Sequence, residues 1–328
     1  MLRTRTPKLS QIQRGIRDDL EQVVDELKRI VLSDFPAIGE VNDHLLWARG
    51  KMFRPTLLLL SNQVADRPHP RAVTLAAIVE LVHLATLVHD DAVDHSVLRR
   101  GMPTVNALWN HQTAVIMGDY LYSRSISALA DLGDVDHIAV LARAANEMSV
   151  GELRQLSSCD ALDFGEVDYE RLISSKTASL MSAACELGAA AGGGEYRAEL
   201  ARYGHALGMA FQIADDLLDF TQSDAVVGKP TGQDLREHKV TLPLIAAMRE
   251  MGAAELARVQ AFFAAPVPAD QAIGELSALV RTRGGLDYAR RRAGEYGARA
   301  AETLLALPDG EATQALHAAI AYVIERTH

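Results

Sequence analysis

The chain is poor in cysteine. Cys159 and Cys185 are its only two, too few for a disulfide framework or a cysteine zinc site. Both fall in helical patterns, where a buried reduced thiol is expected. Aromatic residues make up 5% of the 328 positions, while Ala and Leu, which lose least on entering a helix, are abundant. Positive charge is in deficit: the net charge is −10 and the pI near 5.6. That excludes the basic face with which a nucleic-acid binder displaces counterions. No apolar run approaches the roughly 20 residues that cross a bilayer; the best is Leu57 to Leu60. Met1-Leu2-Arg3-Thr4-Arg5 lacks the apolar stretch of a secretory signal. Runs of alternating β-branched residues, a Pro/Ser-rich linker and a short-period repeat are also missing. These absences leave a cytoplasmic, all-α chain without a transmembrane segment, with residues 1–328 as a single helical domain.

What is present is helical periodicity. With 48% hydrophobic residues the chain can bury one large core. The pattern predicts helices over 9–33, from Pro55, over 73–97, 104–131, 135–159, 168–191, 196–221 and 240–251, and onward to the C-terminus. Pro68 and Pro70 mark a turn, and Arg99-Arg100-Gly101-Met102-Pro103 breaks the helix before it. Residues 222–238, with Asp224, Gly228-Lys229-Pro230-Thr231-Gly232 and Asp234, read as a functional loop.

Two Asp-Asp-x-x-Asp clusters lie near helix C-terminal ends: Asp90, Asp91 and Asp94, then Asp215, Asp216 and Asp219. The first and third Asp of each are one turn apart and share a face; the middle one lies about 100° around. Clustered carboxylates repel one another, and the helix dipole disfavours them at a C-terminal end. An unfavourable arrangement kept twice points to cations. Chance would place two such clusters in roughly one comparable chain in a hundred. Hard oxygen donors select Mg²⁺ or a similar ion, which completes its shell with water and substrate phosphates. Facing clusters across a helix bundle would build such a site.

Cationic residues separate this pattern from a calcium buffer. Lys51 and Arg54 start a helix three positions apart, Arg99 and Arg100 follow the first cluster, and Lys176-Thr177 sits within a helix. Lys229 and Lys239 bracket the polar loop, and His83 lies two turns before Asp90 on the same face. Bidentate Arg, point-charge Lys and bridging metals together suit a diphosphate.

Over about residues 45–245 these motifs resemble the trans-type, head-to-tail isoprenyl diphosphate synthase family, a group with an isoprenoid-synthase-like bundle and a central cavity. Asp90–Asp94 with Arg99-Arg100-Gly101, Phe211-Gln212 before Asp215–Asp219, Lys176-Thr177, Gly228-Lys229-Pro230-Thr231-Gly232 and Lys239-Val240-Thr241-Leu242-Pro243 all match in order. The resemblance implies several Mg²⁺ ions on an allylic diphosphate, held by Asp90, Asp91, Asp94, Asp215 and the remaining carboxylates of the second motif, Asp216 and Asp219. Arg99, Lys176, Lys229 and Lys239 would contact that diphosphate. Lys51, Arg54, His83 and Arg100 would bind isopentenyl diphosphate, with Thr177 and Gln212 as polar support. It also implies a homodimer. One departure concerns Arg49-Gly50-Lys51-Met52-Phe53-Arg54-Pro55, which lacks one Gly and one Arg of the family's usual motif.

The implied chemistry needs no nucleophilic side chain, and no Ser-His-Asp or Cys-His signature supplies one. Product length would be read along the helix before Asp90. Thr86 and Ala85 are small where a bulky aromatic would plug a tunnel, and Val82 lies about 12 Å below Asp90. That resembles medium- and long-chain synthases, with the opposite wall expected near residues 121–155. A farnesyl or geranylgeranyl synthase, a catalytic subunit needing a second chain, a class I terpene cyclase and a non-catalytic helical subunit are the alternatives. The full second Asp cluster argues against the cyclase, and the retained Asp and Arg residues argue against the non-catalytic subunit.

Overall fold

The computed structural model describes residues 7–47, 50–64, 68–158, 161–221 and 232–325. Expectations resting on Met1–Arg5, Arg49, Cys159 and the loop with Asp224, Gly228, Lys229, Pro230 and Thr231 lie outside the described residues.

Helices make up almost all of the regular structure. In chain order they are α1 (Leu9–Ile12), α2 (Arg17–Ile30), α3 (Pro36–Trp47), α4 (Phe53–Gln63), α5 (Arg71–Val93), α6 (Val105–Leu108), α7 (His111–Asp131), α8 (Val135–Ser158), α9 (Glu166–Ile173), α10 (Ser179–Ala191) and α11 (Arg197–Thr221). After the loop come α12 (Gln233–Arg236), α13 (Leu242–Arg249), α14 (Ala253–Phe263), α15 (Asp270–Thr282), α16 (Gly285–Leu304) and α17 (Glu311–Glu325).

The helix expected over 9–33 is three pieces, because a 3₁₀ turn at Arg14–Ile16 separates α1 from α2. Gly15 weakens helix there, and the Gln13 side chain donates to Lys51 O and Thr56 Oγ1. The helix expected over 104–131 is also split. Asn110 accepts from Thr113 N at 2.7 Å and so caps α7 afresh. Within 168–191 a π-helical turn, Ser174–Ala178, joins α9 to α10.

The break at 99–103 forms a miniature antiparallel ribbon, Leu98–Arg99 against Met102–Pro103. Its two corner residues, Arg100 and Gly101, both have positive φ, 53° and 76°, as the tightest hairpin turns require. That turn sends Arg99 and Arg100 in different directions, which matters below.

One cluster of buried apolar side chains runs from Ile12 to Val323. α5 packs against α2, α4, α7 and α10, and α11 against α10, α16 and α17. α5 corrects the expectation that no stretch suits a bilayer: it is 23 residues long, with an 18-residue window of mean hydropathy 1.8. Its apolar residues serve the core instead, since Leu75 to Val79, Leu81, Val82 and Ala85 are buried among neighbouring helices. Cys185 is fully buried and unpaired, its thiol pushed up to about 12 by burial.

Two glycines allow the π turn to sit where it does. A Cβ on Gly208 of α11 would lie 2.6 Å from Ala178 Cα, and one on Gly151 of α8 would lie 2.9 Å from Lys176 N. The wider turn between these helices is a local device of the kind that often marks functional sites.

Candidate active site

A cavity of about 1040 Å³ opens between α4, α5, α7, α8, the π turn, α11 and α17. Asp90 from α5 and Asp215 from α11 both line it, so the two Asp clusters meet across one space. Lys51, Arg54, His83, Arg99, Arg100, Lys176, Thr177 and Gln212 line it as well.

The six carboxylates are not equivalent. Asp90 lies 3.7 Å from Lys176 Nζ; burial, with Glu152 and Asp94 adding to it, pushes its pKa up to about 6 against the pull of Lys176 and Arg99. Asp91 is turned to the ribbon and accepts from Arg99 Nε at 2.7 Å, while its other oxygen, Oδ1, is buried without a partner. Asp94 lies 3.7 Å from Lys239 Nζ. On α11, Asp216 accepts from Tyr169 Oη and Gln212 Nε2. Burial carries its pKa to about 7, against those two bonds and helped by Asp215 and Asp219. Asp219 caps α12, accepting from Gln233 N at 3.0 Å and Asp234 N at 2.9 Å. Of the six, Asp90 and Asp215 line the cavity, while Asp91 pairs with Arg99, Asp94 lies beside Lys239, and Asp216 and Asp219 are hydrogen-bonded behind it.

The cations divide similarly. Lys176 is held by Glu152 at 2.5 Å and Gln155 at 2.9 Å. Lys239 pairs with Glu237 at 2.5 Å, which with Asp234 and Asp94 keeps it charged against burial. Arg54 is lowered to about 10 by burial and by Arg100, opposed by Glu80 and Asp215. Its Nε has no hydrogen-bond partner. His83 is held neutral by burial and by Arg54, Arg100 and Arg99 around it. Arg100 lies flat on Gly50: a Cβ there would come 2.5 Å from its Nη1. The surviving Gly of the 49–55 motif thus makes room for a guanidinium. Lys51 donates to Tyr322 Oη at 3.3 Å, and Phe53 stacks on Phe211 at 5.7 Å between centroids.

Glu80, Glu152, Gln155, Tyr169 and Tyr322 also belong to this site, and the motifs do not point to them. Glu80 carried a signal, a charge inside an apolar run one turn before His83. The others sit on ordinary amphipathic helices and carried none.

The donor set suits a hard divalent cation. Every candidate ligand is a carboxylate oxygen, Asp91 Oδ1 is unpartnered, and Asp90 is buried beside Glu152 and Asp94, where positive charge would relieve their repulsion. No three His, Cys, Asp or Glu side chains among the described residues converge to enclose a bare ion.

Comparison with known proteins agrees in place and extent. The family model described as polyprenyl synthetase matches residues 35–276. The chain is 37% identical to component 2 of the heptaprenyl diphosphate synthase of Geobacillus stearothermophilus, over 98% of this chain and 100% of that one. It superposes on the crystal structure of a decaprenyl diphosphate synthase from Rhodobacter capsulatus with a TM-score of 0.93 and 38% identity, covering 98% and 100% of the two chains. A polyprenyl synthase from Caulobacter crescentus, crystallised with calcium and isoprenyl diphosphate, gives 0.94 at 30% identity, covering 99% of each.

Proposed function

Because the chain belongs to the polyprenyl synthetase family, we propose that its cavity joins isopentenyl diphosphate head-to-tail to an allylic diphosphate. Repetition yields a medium- or long-chain polyprenyl diphosphate and releases diphosphate at each step. The chain is a prenyltransferase. The observation that carries the residue assignments is the meeting of Asp90 and Asp215 in one cavity ringed by Arg and Lys.

In this reading Asp90, Asp91, Asp94 and Asp215 hold several Mg²⁺ ions, which when bound neutralise the charge that grows on the departing diphosphate. Arg99, Lys176 and Lys239 grip the allylic diphosphate from the protein side, with Lys229 of the 228–232 loop assigned there by motif. Arg99 donates to Asp91 and lines the cavity, so it ties the carboxylate row to the substrate. Lys51, Arg54, Arg100 and neutral His83 bind isopentenyl diphosphate. Buried Arg54, short of a partner, gains one in the diphosphate. The isopentenyl double bond attacks the allylic cation, and a proton then passes to the released diphosphate. The apolar lower cavity keeps water from the cation.

Ala85, Thr86 and Val82 on α5, facing Tyr122, Ala142, Ala145 and Met148 on α7 and α8, form the tail tunnel in this reading. Residues 1–328 work as one domain, in the cytoplasm, as a homodimer. The exposed apolar side chains Val115 and Ile116 of α7 and Val150, Leu153 and Leu156 of α8 support that pairing. A second reading, a catalytic chain that needs a different partner, is favoured by the Geobacillus relative's description as a component.

Purified chain alone, given labelled isopentenyl diphosphate, Mg²⁺ and geranyl or farnesyl diphosphate, is expected to form products longer than geranylgeranyl, and none with a chelator. Incorporation only after a second, different chain is added would establish the second reading. No incorporation with any primer or partner would refute prenyl transfer.

A further inference from the structure

Three hydrogen bonds behind the cavity converge on Asp216. Tyr169 Oη donates to Asp216 Oδ2 at 2.6 Å, Gln212 Nε2 donates to Asp216 Oδ1 at 2.8 Å, and Thr177 Oγ1 donates to Gln212 Oε1 at 2.7 Å. Tyr169, Asp216 and Thr177 are 1%, 6% and 7% exposed, and the Tyr169–Asp216 bond is buried. Only Thr177 and Gln212 reach the cavity.

The direction follows from what each group can offer. Asp216 accepts on both oxygens, from Tyr169 on one and from the amino end of the Gln212 amide on the other. That leaves Gln212 Oε1 toward Thr177, which commits its one hydroxyl proton to it. Thr177 therefore turns lone pairs, not a proton, to the cavity it lines. An oxygen lone pair beside a forming carbocation stabilises it, and a proton in the same place repels it. The π turn that carries Thr177 is kept in place by Gly208 and Gly151, so the dipole has a fixed origin.

We propose that Asp216 and Tyr169 are positioning residues that set the polarity of the Thr177 hydroxyl toward the allylic cation, and that Asp216 serves this relay in place of ligating metal. The proposal rests on the prenyl-transfer reading of the cavity. Tyr169 makes the relay directional: its buried hydroxyl must find an acceptor at position 216, so an amide placed there has to give its oxygen to Tyr169. Its amino group then faces Gln212, the Gln212 amide turns over, and Thr177 points its proton inward.

Asp216→Asn is thus expected to lower kcat about 100-fold, with KM for both diphosphates and the Mg²⁺ half-saturation unchanged. Adding Tyr169→Phe frees the new amide to turn its oxygen to Gln212 and should recover about tenfold of the lost rate. Tyr169→Phe alone is neutral or slower. Adding Gln212→Glu instead restores every donor–acceptor match at the original net charge, and this double variant should turn over within about tenfold of the parent.

Steady-state kinetics with farnesyl diphosphate, isopentenyl diphosphate and a Mg²⁺ titration read the parent and all four variants, with melting by circular dichroism confirming their fold. A raised Mg²⁺ half-saturation for Asp216→Asn would make Asp216 a metal ligand and overturn the relay. So would a folded Asp216→Asn/Gln212→Glu protein about 100-fold slower than the parent, and this test stands even where Asp216→Asn alone fails to fold. A parent chain inactive with every primer refutes prenyl transfer itself; an active parent whose variants miss these results refutes only the relay.

Discussion

Asp90→Asn should abolish turnover while making the metal-free protein more stable. The rate loss is expected to be about a thousandfold or more, since one carboxylate of a charge-stabilising metal site is removed at the step where negative charge grows. The stability gain follows from the same geometry. Asp90 is buried beside Glu152 and Asp94, and its folded-state pKa is raised to about 6 from 3.8. A carboxyl raised in this way favours folding only while protonated. Its contribution is full below the unfolded value, and it is lost as pH climbs through about 6. At pH 8 the parent therefore holds an unfavourable ionised group that asparagine cannot form. Melting in chelator at pH 8, set beside single-turnover rates with Mg²⁺, measures both halves. A variant that loses activity and melts lower would mark Asp90 as a structural residue.

Ala85→Phe should shorten the product without stopping the reaction. Ala85 is 1% exposed, lines the cavity and lies five residues before Asp90 on α5. At about 7.5 Å below Asp90, a phenyl group there should end growth at about 15 to 20 carbons. The facing residues Ala142 and Ala145 are small and offer the ring space to enter. Overpacking lowers stability by about 1–3 kcal/mol, which a domain of this size should survive. Product sizing by chromatography decides the matter, with incorporation of the first isopentenyl unit as internal control. An unchanged product ladder would place the tail along another wall.

What could be read in the sequence was whatever depends on local spacing. Asp90 and Asp94, one turn apart on an apolar helix, announce a shared face, and Arg99 and Arg100 announce themselves by following a helix end. Which of two adjacent aspartates faces the cavity is a tertiary property. Asp215 and Asp216 lie about 100° apart on α11, and only the packing of α9 against that helix turns Asp216 to Tyr169. Glu152 and Gln155 look like any polar pair on an amphipathic helix until α8 is laid against the π turn. The π turn itself depends on Gly151 and Gly208, remote in sequence, and nothing within Ser174–Ala178 predicts it. Splits in the helices at Gly15 and Asn110 were within reach of turn and cap chemistry. α5 shows the opposite limit: hydropathy alone would send it into a membrane, and its place in the core is fixed by the helices around it.

The claim on which the rest depends is that the two Asp clusters form one metal site completed by a diphosphate. Anomalous diffraction from crystals grown with Mn²⁺ and an unreactive thio analogue of farnesyl diphosphate tests it directly. The account predicts Mn²⁺ peaks against both Asp90 and Asp215, bridged by diphosphate oxygens, and none of comparable strength when the analogue is left out. Peaks confined to one cluster, or equally strong without the analogue, would contradict it.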